Sequence, residues 1–156
     1  MRISVLSLGI MLAFPFAFFS SPQPRGVLVT TALAASIPSA TITNANSATT
    51  FAPAHRKAQV KRLAQGTNAF MGELTLAPNT KVPLHRDKTE EYLYFLSGGG
   101  RMTIDGKEHT ITAGDVIFIP AGAEVSFQNG KVLSRVIQVF AGPSPASKYD
   151  TWPRIP

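Results

Sequence analysis

From Pro78 onward the chain is cut at short intervals by turn-forming residues, and this punctuation restricts the fold more than any other feature. Pro78-Asn79, Gly98-Gly99-Gly100, Asp105-Gly106, Ala113-Gly114-Asp115, Pro120-Ala121-Gly122 and Asn129-Gly130 recur at roughly 8–12-residue spacing, the interval of a β-sandwich or barrel. Between them lie short β-rich runs: Glu73 to Leu76, Tyr92 to Leu96, Met102 to Ile104, His109 to Thr112, Val116 to Ile119, Val125 to Phe127 and Val132 to Phe140. The runs are too short for helices, so the reading is an all-β domain of consecutive antiparallel strands. Asp105-Gly106 and Asn129-Gly130 tolerate positive φ at both centres of a type I′ turn, and each is expected to close a tight hairpin. Val116-Ile117-Phe118-Ile119 is apolar at every position, which predicts a strand buried on both faces.

The chain has 156 residues, enough for one core, yet much of its 44% apolar content is concentrated at the start. Met1-Arg2 followed by the apolar run Ile3 to Phe19 has the form of a secretory leader. Pro15 and the break at Ser20-Ser21-Pro22 favour cleavage over an uncleaved membrane anchor, and Ala32-Leu33-Ala34 supplies a small-x-small cleavage site. The resulting division is a signal peptide over 1–34, a flexible Ser/Thr/Ala/Asn/Pro linker over 35–56, a β-barrel domain over 57–142 and a Pro-rich C-terminal tail over 143–156. The tail carries Trp152 and is expected to lie loosely over the barrel or extend from it. The protein is expected to be periplasmic or extracellular, without stable membrane insertion once the leader is removed.

There is no cysteine, which excludes disulfides and a thiolate metal site. The formal charge of +6 falls to +4 once Arg2 and Arg25 leave with the leader. The remaining bases are scattered, with Arg56-Lys57 and Lys61-Arg62 the one local cluster, and a nucleic-acid partner is not supported.

His85 and Asp87 stand two apart, on one face if both lie in a strand, and Glu91 opens the next apolar run. The three can converge in the interior. Val125 and Phe127 share a strand face and would make one pocket wall apolar. Other polar residues carry less weight. Parity places Arg86 opposite His85 and Glu90 opposite Glu91, Tyr92 and Tyr94 suit packing in the core or between strands, with a hydroxyl hydrogen bond to a ligand as the alternative, and Arg135 is a candidate for an anionic ligand. His55 and His109 are expected at the surface.

These elements resemble the two motifs of the cupins. The first is usually written G-x5-H-x-H-x(3,4)-E-x6-G, and this chain reads Asn79, His85, Asp87, Glu91 and Gly98 at those spacings. The second is G-x5-P-x-G-x2-H-x3-N, and here it reads Gly114, Pro120, Gly122, Val125 and Asn129. At roughly 5–7% per Gly or Pro, the four identities of the second motif arise by chance about once in 10^5 starting points. The resemblance spans about Gln59 to Gly142 and implies a double-stranded β-helix, a cupin jelly-roll barrel with a pocket between its sheets and a tendency to form homodimers.

The resemblance also implies a metal site, of which this chain keeps a reduced form. Asp87 stands at the second histidine of the first motif and Val125 at the histidine of the second. His85, Asp87 and Glu91 remain as a hard, oxygen-rich ligand set suited to one divalent manganese or iron ion, with the absence of any metal as the alternative. The leading functional reading is an exported barrel that binds a small molecule in a pocket of His85, Asp87, Glu91, Val125 and Phe127. The alternatives are a metal-dependent oxygenase, isomerase or lyase, and a non-catalytic structural or interaction protein. No residue of the sequence selects the ligand, a catalytic group or the reaction.

Overall fold

A computed structural model describes residues 39–156. The leader and the first part of the linker lie outside the described residues. The described residues form eleven strands: β1 (Thr50–Phe51), β2 (Ala58–Gln65), β3 (Phe70–Leu76), β4 (Lys81–Arg86), β5 (Glu91–Ser97), β6 (Gly99–Ile104), β7 (Lys107–Thr112), β8 (Val116–Ile119), β9 (Glu124–Asn129), β10 (Ser134–Phe140) and β11 (Arg154–Ile155). One 3-10 turn, Ser144–Thr151, precedes β11. Among the described residues no helix is long and apolar enough to cross a membrane.

The strands form a seven-stranded sheet in the order β11-β1-β2-β3-β10-β5-β8 and a four-stranded sheet in the order β4-β9-β6-β7. Every pairing is antiparallel, but few partners are consecutive in sequence. Between β3 and β10 the chain changes sheet at nearly every turn, and this alternation winds the double-stranded helix. The turn punctuation therefore marks corners more often than hairpins. Asp105-Gly106 does close a two-residue hairpin between β6 and β7, with positive φ at both positions. Asn129-Gly130 does not: Asn129 ends β9 with its side chain fully buried, and the chain crosses to β10 in the other sheet.

An apolar core lies between the sheets. It joins Leu93 and Phe95 of β5 to Met102 of β6 and to Val125 and Phe127 of β9, with the Phe95 and Phe127 rings 5.5 Å apart. β5 alternates with period two, with Glu91, Leu93 and Phe95 inward and Tyr92, Tyr94 and Leu96 outward, so the core packing expected as one alternative for the two tyrosines does not occur. The doubly buried strand does not hold. β8 is the edge of the larger sheet, whose outer face is uncovered here, so Ile117 and Ile119 are buried while Val116 is 72% and Phe118 50% exposed. Phe118 packs against Tyr92 on the outer surface at 5.2 Å instead.

The two flanks of the barrel are structured as well. Thr50–Phe51, within the segment read as linker, pairs with β2 on one side and β11 on the other. Ala146 and Tyr149 of the 3-10 turn are buried in a second cluster with Val60, Phe70 and Phe140, against which Phe51 and Trp152 pack. The tail is thus anchored rather than loose, because its two aromatic rings find an apolar shelf on the sheet.

Candidate functional site

The corners of the jelly roll leave a cavity of about 290 Å³ between the sheets. Its wall is mostly apolar and includes Leu74, Leu93, Phe95, Val125, Phe127 and Val136. The polar lining includes His85, Glu91, Gln138, Lys148 and Tyr149. Of the residues expected in a pocket, His85, Glu91, Val125 and Phe127 are in this wall; Asp87 lies just outside it.

His85 and Val125 face each other across the β4–β9 pairing, so the position that lacks a histidine places an isopropyl group directly beside the imidazole. His85 Nδ1 lies 2.9 Å from the carbonyl oxygen of Pro83. A carbonyl only accepts, so Nδ1 carries the hydrogen of that contact and Nε2 is the atom left for other partners. β4 ends at Arg86, and Asp87 follows it at the corner, where its own carbonyl accepts the Gly122 N–H at 2.8 Å. Asp87 Oδ2 lies 3.8 Å from His85 Nε2.

Glu91 opens β5 with 4% of its surface exposed. Gln138 Nε2 donates to Glu91 Oε1 at 2.6 Å, and the Tyr149 hydroxyl donates to Gln138 Oε1 at 2.6 Å. Burial pushes the Glu91 carboxyl above its ordinary 4.5, against the opposing pull of the Gln138 hydrogen bond and the Lys148 charge. Burial raises the Tyr149 phenol too, which keeps that hydroxyl a donor. The relay Tyr149–Gln138–Glu91 fixes the amide orientation of Gln138 from both ends.

Lys148 completes the polar end. Its Nζ donates to Asp87 at 3.1 Å from Oδ2 and 3.4 Å from Oδ1, and lies 4.8 Å from the Phe140 ring centroid and 5.8 Å from that of Tyr149.

Among the described residues there is no group of three or more His, Cys, Asp or Glu side chains that could hold a metal ion. His85, Asp87 and Glu91 are neighbours, but the Asp87 carboxylate is engaged by a lysine and Glu91 by a glutamine. The reduced ligand set therefore does not fit the manganese or iron ion expected of it.

Sequence reasoning missed Gln138, Lys148 and Tyr149. The signal that could have found the last two is the pair of aromatics, Tyr149 and Trp152, in an otherwise polar tail, since large rings require a place to be buried. His55 is exposed as expected, yet it contributes to the cavity rim together with Pro53 and Trp152. Arg135 lies away from the cavity wall and binds Glu73 at 2.9 Å, and Arg86 binds Glu124 at 2.6 Å. His109 is exposed on β7.

Comparison with known proteins agrees with this architecture. Residues 72–133 match the model of the cupin domain. The solved structures that resemble the chain include an RmlC-like cupin from Shewanella frigidimarina, at TM-score 0.62 and 14% identity over 67% of this chain and 92% of that one. A predicted oxalate decarboxylase from Thermotoga maritima matches at TM-score 0.59 and 24% identity, over 65% of this chain and 99% of that one. Residues 72–133 thus carry a cupin domain, and the chain shares the fold of solved cupins. A curated relative, the dimethylsulfoniopropionate lyase DddW of Ruegeria pomeroyi, is 32% identical over 77 residues, 46% of this chain and 51% of the relative. The match thus spans about half the length of that lyase.

Proposed function

We propose that the protein is an exported cupin that holds a small, largely apolar molecule inside its barrel and orients it through one polar end. The cavity carries this reading. Its volume of about 290 Å³ stands at the lower end of the ~300–1,000 Å³ usual for ligand pockets, so the occupant is small. Apolar walls supply the driving force for burial, and a few fixed polar groups supply orientation. Lys148 has donors beyond those it gives Asp87, and it suits a carboxylate or carbonyl oxygen at the polar end. The leader-like segment at 1–34 supports export.

The test is a thermal-shift screen of the full chain against small carboxylic acids and ketones with short apolar bodies. A ligand at a hundred times its Kd should stabilise the protein by about 2.7 kcal/mol. Val125→Phe, which fills the cavity with the fold retained, should abolish the shift. A shift that survives this substitution places the ligand elsewhere and ends the barrel-binding reading.

One observation favours a second reading, in which the barrel is an acid–base lyase: the 32% identity to a lyase, taken with a buried carboxyl, Glu91, in the cavity wall. Turnover of dimethylsulfoniopropionate by the wild type and its loss in Glu91→Gln would support it; an inactive wild type removes that substrate.

A further inference from the structure

We propose that Lys148 is the resident cation of this barrel, a tethered ammonium that engages the acidic side of the His85, Asp87 and Glu91 cluster and keeps divalent metal out. The inference concerns the polar end itself and holds whichever molecule the cavity takes.

Three features carry it. The Lys148 Nζ lies within hydrogen-bond reach of both oxygens of Asp87, at 3.1 and 3.4 Å, which occupies the carboxylate that would have to turn to a metal. Its charge also acts on the buried Glu91, so one cation serves both acids of the cluster. Its position is supported on the protein side, because Nζ sits over the rings of Phe140 and Tyr149 and the next residue, Tyr149, is buried and bonded to Gln138. The backbone that bears it is held in turn: β11, three residues beyond the 3-10 turn, pairs with β1.

A divalent ion needs its carboxylates free and is repelled by a like charge beside them. With the ammonium in place both effects oppose the metal. His85, Asp87 and Glu91 do not converge on one point as they stand, but without the ammonium the Asp87 carboxylate, 3.8 Å from His85 Nε2, is released to turn, and with Glu91 the three then offer one imidazole and two carboxylates, donors suited to Mn²⁺. The cluster is then a latent metal site, closed by a residue from the far end of the chain.

The experiment uses the full chain, stripped with a chelator and titrated with Mn²⁺, with bound manganese measured after dialysis and melting followed in parallel. Wild type should retain no manganese and show no shift. Lys148→Met should retain about one Mn²⁺ per chain and melt higher in its presence, and Lys148→Met with Glu91→Ala should lose both effects. Lys148→Arg keeps the charge and should behave as wild type. Should Lys148→Met fail to fold, Lys148→Gln takes its place with the same expectation. The proposal is overturned by stoichiometric manganese in wild type that disappears in Glu91→Ala, by a folded, neutral Lys148 variant that still refuses the metal, or by an arginine variant that accepts it.

Discussion

Two polar clusters lie inside this barrel, each built around residues of the two sequence motifs, and they are built to opposite ends. At the corner where β9 leads to β10, Asn129 Nδ2 donates to the carbonyls of Leu76, Ala77 and Val132, its Oδ1 accepts from the Ser134 hydroxyl, and the Ser134 oxygen accepts the Gly99 N–H. Every polar atom there is answered by the protein, so the cluster is a fastening and nothing more. In the cluster of His85, Asp87, Glu91, Gln138 and Lys148, the groups answer each other only in part and four of the five line a cavity. The difference teaches how to separate structure from function among motif residues: a fully partnered group holds the fold, and a partly partnered one beside empty space is available to a ligand.

Breaking the fastening should have the largest effect. Asn129→Ala removes the donor shared by the Leu76, Ala77 and Val132 carbonyls, of which the Ala77 oxygen keeps the Thr80 N–H, and at about 1–3 kcal/mol for each unsatisfied group a loss of roughly 2–5 kcal/mol is expected in urea denaturation. A loss below about 1 kcal/mol would mean that water replaces the side chain and that the two clusters are less different than their geometry suggests. Tyr149→Phe removes one hydroxyl from the cavity relay and should cost about 1–2 kcal/mol, with the added signature of altered ligand affinity, because Gln138 loses the bond that sets its amide.

A pH series sharpens the comparison further. Burial raises the folded pKa of Glu91 above 4.5, so its contribution is fully present below that value and declines as pH rises through the folded pKa. Glu91→Gln cannot lose a proton, and the variant should gain stability relative to wild type across that window. Parallel stability curves for the two proteins from pH 4 to 8 would show that Glu91 is not the titrating group. The smallest effect is expected outside the barrel: Phe118→Ser on the exposed face of β8 removes half-exposed surface and one contact with Tyr92, and should change stability by less than about 1 kcal/mol.

The barrel was legible because its cues are local. Turn residues, period-two burial in β5 and the positive φ at Asn79, Gly98, Gly114 and Gly122 all follow from short windows of sequence. Gly98 shows how firmly one such position is set, since a Cβ there would collide with Ser134 as well as strain the backbone. What was not legible is long-range. Val116-Ile117-Phe118-Ile119 looks like a central strand, and only the sheet order reveals that it is an edge. Asn129-Gly130 has the composition of a hairpin turn, but the carbonyls that capture Asn129 come mostly from the end of β3 and the residue after it, some fifty positions earlier. The site suffers in the same way: His85, Glu91, Val125 and Phe127 could be read from spacing, but Lys148 enters from a tail with no motif of its own.

The pairing of β1 with β11 sets Thr50 beside Ile155, and this imposes an order in time on the site. Most of the barrel can close from β2 to β10, but the residues that position Lys148, Tyr149 and Trp152 are synthesised only after all of those strands. Until Ile155 is available the polar end has its acids and lacks its cation. A nascent barrel is thus briefly a different chemical object from the finished one, and the seam between its first and last strands is the step that completes it.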